Sequence, residues 1–147
     1  LAMSKEYATG LLPVPAECAA IKDAVTGILA ETPAVRDLRA RHMVGMGGVL
    51  SSASRMHALL HPEETPRLLP ADALPQMIAM FGSGRPLTEA DTAVLLRAAP
   101  DRLHNIVPGL IIARVLADTF AAEDITYSDG GVREGYIRTE ILGVSGV

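Results

Sequence analysis

The feature that most limits what this chain can become is a pattern that occurs twice: a short extended stretch, a pair of glycines, then apolar residues at helical spacing. Near the end, Ile125 to Ser128 is β-branched and aromatic and reads as a strand. Asp129-Gly130-Gly131 breaks it, because glycine permits a tight reversal and a close backbone approach. Val132, Tyr136, Ile137 and Ile141 then recur at helical spacing. Earlier, His42 to Met46 is the strand, Gly47-Gly48 the turn, and Val49 to Leu60 the helix, which Pro62 cannot continue. A strand that feeds a glycine turn and then a helix leaves amides unpaired at the helix start, a place that suits a phosphate oxygen.

Both strands run into such turns, so they are expected to be parallel and joined by helices in an α/β layer architecture. The connecting sequence supports this. Cys18, Ile21, Val25, Ile28 and Leu29 form an apolar stripe behind Pro15, and Thr32-Pro33 ends it or begins a short second turn. Leu74, Met77, Ile78 and Phe81 form another stripe. Thr88 and Asp91 have the spacing of a helix cap before Val94, Leu95 and Leu96. Ile106 to Phe120 is apolar nearly all round and should run through the interior. Pro62 to Pro70 reads as a polar, proline-rich connection. The expectation is a mostly helical single domain over residues 1–147 with two parallel strands, its core made of Ala, Leu, Ile, Val and Met because aromatics are only 3%. Two strands make a poor sheet, and a parallel pair is normally covered on both faces and flanked by others. The chain therefore reads as part of something larger.

Several functions are disfavoured. A net charge of −4 argues against a broad nucleic-acid surface but not against a compact phosphate ligand. The single cysteine, Cys18, cannot form an internal disulfide and reads as a small buried hydrophobe in a reducing compartment. The longest apolar run is interrupted by Arg114 and Asp118, and no secretory signal opens the sequence, so a cytoplasmic protein is expected. Arg36, Arg39 and Arg41 read as a solvated face. His57 and His61 stand four residues apart, but the glutamate of a zinc-protease helix is missing between them. They read as surface histidines at a helix end, with no metal.

Ser128-Asp129-Gly130-Gly131-Val132-Arg133-Glu134-Gly135 resembles the late signature of the exopolyphosphatase/guanosine pentaphosphate phosphatase (Ppx/GppA) family. Val44-Gly45-Met46-Gly47-Gly48 resembles that family's earlier glycine loop, and Ile106-Val107-Pro108-Gly109-Leu110 the start of the helix before its last strand. The similarity runs from about Ser4 to Leu142. It implies a partial actin-like, ribonuclease-H-like ATPase lobe: the later part of the second lobe of a two-lobed phosphatase. It implies hydrolysis of a terminal phosphoanhydride of polyphosphate or guanosine pentaphosphate, with Mg²⁺ serving the whole enzyme and held by no residue here. The general base and the acidic Gly-Gly-Ser loop are expected earlier than this chain begins, so the chain alone should be inactive. Phosphate or nucleotide contacts are implied for Gly45, Gly47, Gly48, Ser51, Gly130, Gly131 and Arg133, with Asp129, Glu134 and Gly135 in support. The partners implied are the phosphate ligand and the rest of the parent protein. A homodimer stays open, and neither nucleic acid nor membrane is expected. One departure stands out: the family usually has Thr after the paired glycines, and here it is Val49, so Ser51 or Ser52 would have to supply a hydroxyl. A non-catalytic phosphate-binding or assembly module is the alternative. A dinucleotide fingerprint fits poorly, since its third glycine would fall at Ser51.

Overall fold

The computed structural model describes residues 12–65 and 67–128. Helix α1 spans Pro15–Ala30 and α2 Pro33–Arg36; strand β1 follows at His42–Gly45, then α3 at Gly48–Leu60 and β2 at Leu68–Pro70. Helices α4 (Ala73–Gly82), α5 (Glu89–Ala98) and α6 (Ile106–Phe120) lead to β3 at Asp124–Tyr127. The helix starts follow the sequence. Pro15 occupies the first turn of α1, where its missing N–H costs nothing. Thr88 caps α5, its hydroxyl accepting the Asp91 N–H at 3.0 Å.

The expected parallel pair is present: β1 runs beside β3 in the register His42↔Asp124 to Gly45↔Tyr127. A third strand joins it. β2 pairs antiparallel with β3 on the other side, giving the order β1-β3-β2. It lies inside the stretch that reads as a plain connection, because Pro70 hides it. Proline is admissible there because β2 is an edge strand, and Leu69 is buried beside Ile125, its register partner. Met43, Gly45, Leu69 and Ile125 face the helices, whereas His42, Val44 and Thr126 are exposed.

Helix α6 is the spine. Ile106, Val107 and Leu110 have no exposed surface, and α1, α3 and α4 all pack against this helix. Where α3 crosses it, Gly109 is indispensable: a Cβ there would collide with Val49. This accounts for the valine after the paired glycines. Its side chain fills the α3–α6 contact, so a hydroxyl at that position would face the core. α6 ends on Ala121 in the left-handed region (φ +55°), with Ala122 N–H closing onto Ala117 O at 2.8 Å. Among the described residues no helix is long and apolar enough to cross a membrane.

Candidate functional site: an anion hollow at the start of α3

The glycines at the end of β1 do three different jobs. Gly45 is buried, and a Cβ would run into the Leu50 side chain and lie 3.1 Å from Ile125 Cγ2. Its carbonyl accepts the Ser128 N–H at 2.9 Å, which keeps β1 and β3 paired to their ends. Gly45 is thus explained by packing. Gly47 makes the turn, at φ +97°, where residues other than glycine are strained. Its carbonyl accepts the Ser51 N–H at 3.0 Å and so closes the first turn of α3, but among the described residues no side chain caps the helix's leading amides. Gly48 faces an arginine: a Cβ would overlap the Arg102 guanidinium at Nη2, Cζ and Nε.

Arg102 arrives from the turn between α5 and α6. Its N–H bonds to Ala99 O at 3.2 Å and its carbonyl accepts from Asn105 and Ile106, both at 2.9 Å, so its backbone is fixed on both sides. Its guanidinium makes no hydrogen bond or ion pair among the described residues. With Gly48, Ser52 and Arg55 from α3, and with the exposed Asp101, it lines a hollow of about 140 Å³. That is below the roughly 300–1,000 Å³ of a drug-sized pocket, so it suits one compact anionic group and not a whole nucleotide. Ser52 is 4% exposed and makes no hydrogen bond within the described residues. Ser51 is the hydroxyl already in use: its Oγ accepts from Arg55 Nη2 at 3.0 Å, which steers the Arg55 side chain. Two guanidinium groups, uncapped helix amides and a spare hydroxyl suit an anion with several oxygens. The single carboxylate, Asp101, does not make a Mg²⁺ cage, which needs near-octahedral oxygen ligands.

The sequence profile of the Ppx/GppA phosphatase family matches residues 2–143. The chain belongs to that family. No curated protein matches the sequence. Two solved structures are similar: a structure of the Aquifex aeolicus PPX-GPPA enzyme, and the crystal structure of the Aquifex aeolicus member of the Ppx/GppA family. Each is 16% identical; the TM-scores are 0.72 and 0.73, covering 95% and 97% of this chain. That likeness establishes the fold, a mostly helical part of an actin-like lobe with a small mixed sheet. The chain spans 46% of either Aquifex chain, less than half its length.

Within this Ppx/GppA chain the structure brings Gly47, Gly48 and Ser51 together at the start of α3, with Gly45 just behind them in the core. Asp129, Gly130, Gly131, Arg133, Glu134 and Gly135 lie outside the described residues. The strand leading to them ends beside the first glycine turn, through Gly45↔Tyr127 and the Ser128–Gly45 bond. Arg55 and Arg102 were not among the expected site residues. A usable signal existed for Arg102: a Pro-Asp-Arg break shortly before the long apolar run from Ile106 places a charge beside the core. One expectation is corrected. His57 is not a surface histidine: it is 4% exposed, with Nε2 2.6 Å from Glu64 Oε2. Cys18 is half-buried, its Sγ 3.5 Å from Gly82 O. Burial, reinforced by nearby Glu17, pushes its thiol above the ordinary range against the opposing effect of a backbone hydrogen bond.

Proposed function

We propose that this chain forms one wall of the phosphate cleft of a phosphoanhydride hydrolase that releases terminal phosphate from polyphosphate or guanosine pentaphosphate. The observation that carries the reading is Arg102, a guanidinium laid against Gly48 at the start of α3 with no ion pair among the described residues. In this reading Arg102 and the leading amides of α3 hold phosphoryl oxygens, Ser52 donates a further hydrogen bond, and Arg55 guards the rim. Such groups position the phosphate chain and stabilise charge as it shifts toward the leaving oxygen. The general base is supplied by residues beyond this chain. Any Mg²⁺ would be held by the phosphate chain and by ligands outside this chain.

The alternative, a phosphate-binding module without catalysis, is favoured by one observation. Among the described residues the hollow is lined by one carboxylate, Asp101, and it is exposed. Phosphate release from polyphosphate and from guanosine pentaphosphate, measured on the parent protein and on this chain alone, separates the two. The hydrolase reading expects turnover of one substrate by the parent, none by the chain alone, and at least a tenfold fall in kcat/KM for Arg102→Ala. A parent that binds polyphosphate without releasing phosphate would leave the binding module standing. Turnover unaltered by Arg102→Ala would remove the hollow from either account.

A further inference from the structure

At the far end of α3, about 9 Å beyond Arg55 at 1.5 Å per residue, a second polar cluster forms where the helix gives way to the segment before β2. His61 Nδ1 lies 3.8 Å from Glu63 Oε1, and one donor atom each from His61, Glu63 and Glu64 fall within 4.8 Å of one another. His61 Nε2 lies 3.4 Å from Gln76 Oε1, an oxygen that can only accept. Nε2 is therefore the donor to Gln76, which leaves Nδ1, on the carboxylate side, as the ring atom a metal would take. At 3.8 Å the Nδ1–Glu63 pair is too long for a hydrogen bond. Two ligands of one tetrahedral ion, each at the usual 2.0–2.2 Å, stand about 3.4 Å apart. A small closure would bring these two atoms to the spacing of two ligands on one ion.

His57 supplies the second half of the argument. It is nine-tenths buried, and its Nδ1 has no hydrogen-bond partner. Its Nε2 lies 2.6 Å from Glu64 Oε2, and because a carboxylate oxygen accepts, Nε2 is the donor. That bond holds the Glu64 carboxylate in place beside the cluster. Ligands tied from behind in this way, His61 by Gln76 and Glu64 by His57, are the usual arrangement around protein-bound metals.

We propose that His61, Glu63 and Glu64 bind one divalent transition-metal ion of the zinc class, with water completing its coordination. An imidazole donor and only three protein ligands do not suit Ca²⁺ or Mg²⁺, which ask for more oxygens. The ion fastens the segment ahead of β2 to the end of α3. The site is independent of the phosphate hollow and stands or falls separately.

The test is calorimetric titration of Zn²⁺ into the metal-free, untagged protein, with a matching thermal melt. One equivalent should bind with micromolar or tighter affinity and raise the melting temperature. His61→Ala, at a half-exposed position the fold does not rely on, should weaken binding at least a hundredfold and abolish the thermal shift. His57→Gln should weaken it about ten- to a hundredfold. His42→Ala, in the sheet, should bind like the parent. No stoichiometric binding, equal affinity in His61→Ala, or equal binding by Mg²⁺ alone would each overturn the site.

Discussion

Adding a single methyl at Gly48 should separate binding from folding. The new Cβ would occupy the space now held by three atoms of the Arg102 guanidinium, so that group has to leave. It is the far end of a flexible side chain, so displacing it strains little else. Alanine is also the better helix former, by up to about 1 kcal/mol in a helix interior. Stability should therefore change by no more than about 1 kcal/mol in either direction. Anion affinity should suffer more, since hydrogen bonds to a charged group contribute about 1.5–3 kcal/mol, which corresponds to roughly a ten- to 150-fold weaker dissociation constant. The assay is titration calorimetry with inorganic tripolyphosphate at fixed ionic strength, beside a urea melt. Arg102→Ala should reproduce the loss, and Gly48→Ala combined with Arg102→Ala should add almost nothing, as for two changes that remove one interaction. If Gly48→Ala unfolds the protein by more than about 2 kcal/mol, the glycine serves packing. If it leaves tripolyphosphate affinity intact while Arg102→Ala destroys it, Arg102 does not act from the position described.

Gly45→Ala should behave in the opposite way, because its Cβ meets Leu50 and Ile125 in the core. The expected outcome is a loss of about 1–3 kcal/mol in a denaturant melt, with the surviving folded protein still binding tripolyphosphate. Ala121→Gly should raise stability by up to about 1 kcal/mol, since a left-handed alanine at the end of α6 is strained; an unchanged melting temperature would argue against that strain. For Cys18 the sign follows from proton binding. The folded protein keeps a thiol proton that the unfolded chain gives up, so this contribution is fully present below the ordinary thiol range. It is lost as pH rises through the higher folded value. Cys18→Ser should flatten the fall in stability measured across that alkaline interval, and the native thiol should alkylate more slowly at neutral pH than a free cysteine.

How much of this was legible in the sequence depends on whether the deciding interaction is local. The turn at Gly47-Gly48, the cap at Thr88 and the buried run from Ile106 are local, and each is observed where periodicity and turn chemistry place it. β2 was not legible, because three residues ending in proline carry no periodicity, and only pairing with β3 across more than fifty residues makes them a strand. The hollow was half legible. Its floor is a local motif, but Arg102 reaches Gly48 only because α5 and α6 fold back over α3. The burial of His57 likewise needs the chain beyond Pro62 to return Glu64 to it. A helix-end histidine has no way to announce that.

The bond from Ser128 to the Gly45 carbonyl has a mechanical consequence. Because the parallel strands are zipped to their final residues, the chain leaves β1 and β3 from one rigid plate. A tug on Ser128 would pull directly on Gly45, at the entrance to the first glycine turn.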